Sequence, residues 1–139
     1  MLLSRQMIQK TQQKCSVFVF GNPELKADSL PLKLVPELVR AFPEISFEIK
    51  DPNEEWAVPA EMIVIDTIVG PKKVTMFDNL DAFESAPRLT MHDFDALSNL
   101  RYLKKLGKLK KIKIIGVPPE ISQKKALEAV GKILRGLEK

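Results

Sequence analysis

The sequence holds one cysteine, Cys15, and one histidine, His92. A single cysteine excludes an internal disulfide and any multi-cysteine metal site. A single histidine leaves one imidazole for metal or acid–base chemistry. No apolar run approaches the roughly 18 residues a membrane-spanning helix needs. The opening segment MLLSRQMIQKTQQK lacks the long apolar stretch of a secretory signal. Gly21 stands without a GxGxxG pattern, and there is no Walker GK[ST] and no GxSxG, so nucleotide cradles and the nucleophile elbow are absent. Aromatic residues make up only 6%, and none interleaves the lysine run KKLGKLKKIK at 104–113. Base stacking would need them there. These absences imply a cytoplasmic protein with no membrane partner and no nucleic-acid partner.

The 139 residues are enough for one core and too few for two. Apolar residues make up 45% and charged residues 29%, an ordinary globular balance. The net charge of +4 owes much to the 104–113 lysines. They fall where a helix gives way to a strand, and cations suit a helix C-terminus. Residues 1–14 read as an N-terminal extension and residues 15–139 as one domain, expected to be a monomer.

The periodicity within that domain alternates between strand and helix. Residues 15–20 are β-branched and aromatic, a buried strand. Leu32, Val35, Leu38, Val39 and Phe42 form one helical face, with Pro31 in its first turn. Pro36 should kink that helix or delay its start. ISFEI at 45–49 is a second strand, and residues 62–65 a third, ending at Asp66. VTMF at 74–77 returns after a short connection, so it is expected to pair antiparallel with the third. A helix is expected from about residue 92, with Phe94, Leu97, Leu100, Leu103 and Leu106 as its stripe. Residues 112–117 make a fifth strand. Ser122 can cap a last helix whose face is Ala126, Ala129, Val130, Ile133, Leu134 and Leu137. The order β-α-β-β-β-α-β-α predicts a three-layer α/β/α fold with a five-stranded mixed, mostly parallel sheet and helices on both faces.

Ligands in such folds bind at the C-terminal ends of the parallel strands. Asp28 lies in the loop GNPELKADS after the first strand, Asp66 ends the third, and His92 precedes a helix. Two carboxylates and one imidazole suit Ni, Zn, Mn or Fe. A helix N-terminus disfavours imidazolium, which keeps the ring able to bind metal. Each residue also has a plainer use. Asp28 could cap the next helix, Asp66 could accept backbone N–H groups at a strand end, and His92 could be a capping or surface residue. As rim residues they are expected to be exposed. Cys15, at the start of a buried strand, reads as core or edge.

The strand SVFVF with GNPELKADS, the strand IVIDT, the segment LTMHDFDAL and the late IKIIGVPPEIS occur in an order that resembles the nickel–iron hydrogenase maturation endopeptidases. The resemblance covers roughly residues 15–137. It implies an endopeptidase that removes the C-terminal extension of a hydrogenase large-subunit precursor. It also implies that Asp28, Asp66 and His92 serve as metal-contacting and catalytic residues. Nickel would be supplied by the substrate, with no resident cofactor. Two hydrolytic routes stay open: polarisation of the scissile carbonyl by metal, or general-base action by a carboxylate. The sequence departs from the family pattern at Ala27 and Ser29, and its 50–61 segment is too short for a full helix. Those departures favour the alternative of a non-catalytic member that binds a metalloprotein partner or metal through the same rim.

Overall fold

The computed structural model describes residues 15–21, 24, 29–50, 59–68, 71–78 and 110–137. Five strands and two helices follow along the chain: β1 (Cys15–Phe20), α1 (Leu30–Ala41), β2 (Ile45–Lys50), β3 (Glu61–Thr67), β4 (Thr75–Phe77), β5 (Lys111–Val117) and α2 (Gln123–Leu137). All five strands join one sheet in the order β2-β1-β3-β5-β4. β1 pairs parallel with β2 and with β3, and β3 pairs parallel with β5. The expected α/β fold with a mixed, mostly parallel sheet is therefore present.

One pairing differs from expectation. β4 lies antiparallel to β5, not to β3, with Thr75 opposite Gly116 and Phe77 opposite Ile114. The edge of β3 on that side is taken along its whole length by β5, from Glu61↔Lys111 to Thr67↔Val117. A short connection fixed the direction of β4 but not its partner.

Alternation along the strands sorts side chains onto two faces. Val17, Val19, Ile65, Ile115 and Val117 form a core with Leu34, Leu38 and Phe42 of α1 and its C-terminal flank. Ala126, Val130 and Leu134 of α2 complete it. Both described helices thus cover the same face. Full burial of one such leucine, Leu34 for example, contributes about 1.5–3 kcal/mol relative to exposure. Phe18, Phe20, Met62, Val64, Ile112 and Ile114 occupy the other face and are also buried. The expected helix from residue 92, with its stripe to Leu106, lies outside the described residues, as do residues 1–14.

The helical faces need correction in detail. α1 buries Leu30, Pro31, Leu34 and Leu38. Leu32 and Val35 are only partly buried, and Val39 is 48% exposed. The stripe is rotated toward an i, i+4, i+8 row, because the helix must also seat its first turn on the sheet. Pro36 does not delay the helix, which already runs from Leu30. It sits on the exposed side, and its carbonyl accepts a hydrogen bond from Arg40 Nε at 3.4 Å. In α2 the buried residues are Ala126, Val130, Gly131 and Leu134. Ala129, Ile133 and Leu137 lie at its half-buried margins. Ser122 caps α2 as expected: its Oγ accepts from the Lys125 N–H at 3.1 Å. A further bond, from Gln123 Nε2 to the Lys33 carbonyl at 3.3 Å, ties the two helices together.

Candidate functional site

The strand order reverses direction beside β1. The chain leaves β1, crosses through α1 to β2 on one side, and then passes to β3 on the other. In open α/β sheets the crevice outside the carboxyl ends of two such strands is where ligands bind, because the connections diverge there and leave it uncovered. The C-terminal ends of β1 and β3 flank that crevice. The segment with Asp28 follows the first in sequence, and the second carries Asp66.

Asp66 is the next-to-last residue of β3 and is only 3% exposed. The expectation of an exposed rim carboxylate is overturned for this residue. A carboxylate tolerates burial only where donors replace water. One donor is the N–H of Thr67, 2.8 Å from Asp66 Oδ1. The reason is local. The Ile68 N–H bonds the Val117 carbonyl on the β5 side, at 3.0 Å, and successive N–H groups of a strand point to opposite edges. The Thr67 N–H therefore points toward β1, whose pairing with β3 is already complete at Val19↔Ile65. Asp66 supplies the acceptor the sheet no longer offers. The plainer use expected of Asp66, acceptance of a backbone N–H at a strand end, is therefore present.

Thr67 carries a second polar group. Its side chain is fully buried, and its Oγ1 has no hydrogen-bond partner among the described residues. Ser29, adjacent in sequence to Asp28, is 6% exposed and holds the N-cap position of α1 without a side-chain capping bond. Asp28 and His92 themselves lie outside the described residues. Among the described residues no three metal-binding side chains cluster. The lysine run is described only from Lys110 onward; Lys110 and Lys111 are exposed and Lys113 half-buried. Among the described residues no helix is long and apolar enough to cross a membrane.

A groove of about 610 Å³ also opens between the helices, lined by Leu38, Phe42, Leu127 and Gly131 with charged residues at its margin. It lies on the helical face, and Asp66 is not among its lining residues. The strand-end crevice, not this groove, is the candidate site.

These features define a class: an open α/β protein with a buried carboxylate at its topological switch point. Comparison with known proteins narrows it. No protein-family model and no curated relative matches the chain. Solved structures do. The hydrogenase maturating endopeptidase HybD of Escherichia coli is 19% identical, with a TM-score of 0.60 over 89% of this chain and 93% of its own. The endopeptidase HycI of Escherichia coli is also 19% identical, with a TM-score of 0.64 over 90% of this chain and 92% of its own. A hydrogenase 3 maturation protease is 16% identical, with a TM-score of 0.62 over 89% and 91%. The chain shares its fold with these hydrogenase maturation endopeptidases.

Proposed function

We propose that this protein is an endopeptidase that removes the C-terminal extension of a nickel-loaded hydrogenase large-subunit precursor during maturation. The observation that carries the proposal is Asp66, a buried carboxylate held in one orientation at the switch point of the sheet. The likeness of the whole fold to maturation endopeptidases supports it. Asp66 would contact nickel carried by the substrate, together with Asp28 and His92. In this reading nickel is part of the substrate, and the protein has no resident cofactor. Its setting is the cytoplasm, and it acts as a monomer.

Anchoring Oδ1 on the Thr67 N–H gives Asp66 a function in this proposal. A carboxylate that is already oriented loses little side-chain freedom when it meets an ion. The enzyme can then distinguish a loaded precursor from an empty one by a contact that forms only with metal. Hydrolysis follows at the C-terminal side, with water adding across the peptide bond.

The same bond also supports a second reading, in which Asp66 only completes the strand end and the protein binds a metalloprotein partner without cutting it. One experiment separates the two. The protein is incubated with nickel-loaded precursor, and the C-terminal mass of the precursor is followed. Loss of the extension is expected with loaded precursor and not with empty precursor. Stable association without a change of mass would replace the first reading with the second. Elemental analysis of purified protein is expected to find no stoichiometric transition metal. One tightly held ion per chain would contradict substrate-borne nickel.

A further inference from the structure

The geometry points to Gly116 as a positioning residue for Asp66, acting through Ile68. This inference rests on the reading of Asp66 as a site residue. Gly116 of β5 is the register partner of Asp66, and on its other side it faces Thr75 of β4. The three positions form one row across three strands, on the sheet face away from α1 and α2. The middle position of that row has no side chain, and the space is filled from elsewhere. A Cβ built on Gly116 would lie 2.6 Å from Ile68 Cγ2, 3.0 Å from Ile68 Cβ and 3.2 Å from Ile68 Cδ1. Ile68 is fully buried. Immediately beyond the end of β3, its side chain folds back over β5 into the place a residue-116 side chain would take.

This packing governs the carboxylate because the chain between them is short. Asp66, Thr67 and Ile68 are consecutive. Asp66 is held to Thr67 by the 2.8 Å bond at Oδ1. Ile68 is held to β5 by the bond from its N–H to the Val117 carbonyl at 3.0 Å and by its side chain over Gly116. A β-branched side chain has little rotameric freedom with which to move aside. The closest atoms, Cγ2 and Cβ, belong to the branch point and not to a flexible tip. An alanine at position 116 would therefore displace the backbone at Ile68 and pull the Thr67 N–H off Asp66 Oδ1. Gly116 keeps the end of β3 in the conformation in which the Thr67 N–H holds the Asp66 carboxylate.

Amide hydrogen exchange of the intact protein tests this directly. Gly116→Ala is expected to speed exchange of the Thr67 amide at least tenfold more than exchange of the Val17 and Val19 amides, which follow global stability. A loss of global stability would speed them all. Ile68→Ala removes the anchor without a clash and is expected to speed Thr67 exchange by only a few fold. The double variant is expected to match Ile68→Ala, because the side chain that clashes is gone; additive effects would overturn the inference. Unchanged Thr67 exchange in Gly116→Ala would overturn it too. Should Gly116→Ala fail to fold, Ile68→Ala decides alone: a selective rise at Thr67 supports the inference and no change refutes it. Processing of nickel-loaded precursor should fall at least tenfold in Gly116→Ala and recover in the double variant. A wild-type protein that processes no precursor refutes the endopeptidase reading, and the exchange result still decides the role of Gly116.

Discussion

β3 and β5 are nearly the same strand twice. Each has seven residues, they pair in register from end to end, and their burial follows the same sequence of exposed, buried and intermediate positions. At the N-terminal end Glu61 faces Lys111, a 4.0 Å ion pair in solvent. In the middle Val64 faces Ile114 and Ile65 faces Ile115. The strands diverge at the C-terminal end. Asp66 faces Gly116, and Thr67 faces Val117. β5 carries what a buried parallel strand wants, an apolar side chain and a place for a neighbour to pack. β3 carries a carboxylate and a hydroxyl at positions just as buried. Two strands under the same packing constraint differ where one of them borders the crevice. The polar residues of β3 stand at that end, where Asp66 also takes up the Thr67 N–H.

The largest expected effect comes from making β3 apolar where β5 is. Asp66→Ala should abolish processing of nickel-loaded precursor, by at least a hundredfold in initial rate. It should also destabilise the protein by about 1–3 kcal/mol, since the Thr67 N–H loses its acceptor in a buried place. Asp66→Asn keeps an acceptor oxygen, so it should lose activity alike with a smaller loss of stability. Denaturant unfolding with a precursor-cleavage assay separates the two effects. Equal activity in wild type and Asp66→Asn would leave β3 and β5 functionally alike.

Filling the gap in β5 comes next. Gly116→Ala should destabilise by about 1–3 kcal/mol, the range of overpacked cores. Gly131 of α2 is the internal control, since it is buried as well. The nearest atoms a Cβ there would meet belong to the Arg135 guanidinium, at 3.5 Å, an ordinary contact. Gly131→Ala should therefore stabilise by about 0.5–1 kcal/mol, the helical preference of alanine over glycine. The same substitution at two buried glycines is predicted to have opposite signs. Thermal unfolding of both variants would show whether close approach, not burial, decides the outcome.

Thr67→Val makes the last residues of the two strands identical. It removes a fully buried hydroxyl that has no partner among the described residues, at nearly constant shape. The expected gain is about 1 kcal/mol. A loss of stability would show that the hydroxyl is engaged in solution. The smallest effect should come from the opposite end. The side chains of Lys111 and Glu61 are 77% and 72% exposed. Lys111→Met should change unfolding free energy by less than about 0.5 kcal/mol, as solvent-screened pairs do.

Much of this molecule is legible in the amino-acid order alone. Short β-branched runs such as SVFVF and IKIIGV are unambiguous because a strand buried on both faces needs apolar side chains at every position. Asp66 stands out for the same reason, as a charge at the end of such a run. Ser122 is recognisable as a helix cap because capping is a contact over three residues. The partner of β4 was not legible. The length of a connection reveals direction, but which edge is free depends on where β5 goes, and β5 begins 34 residues after β4 ends. The buried face of α1 was not legible either, because Val39 and Leu34 are equally apolar and only the sheet beneath chooses between them. Gly116 gave no signal at all, since a glycine in a strand can mark a bulge, a bend or a close approach. Local chemistry determined the elements and the carboxylate. The tertiary structure decided that the carboxylate is buried, that its oxygen is held by the next residue's N–H, and that an isoleucine two residues on fills the gap beside it. Those three facts depend on which strands lie side by side, and no local stretch of sequence contains that information.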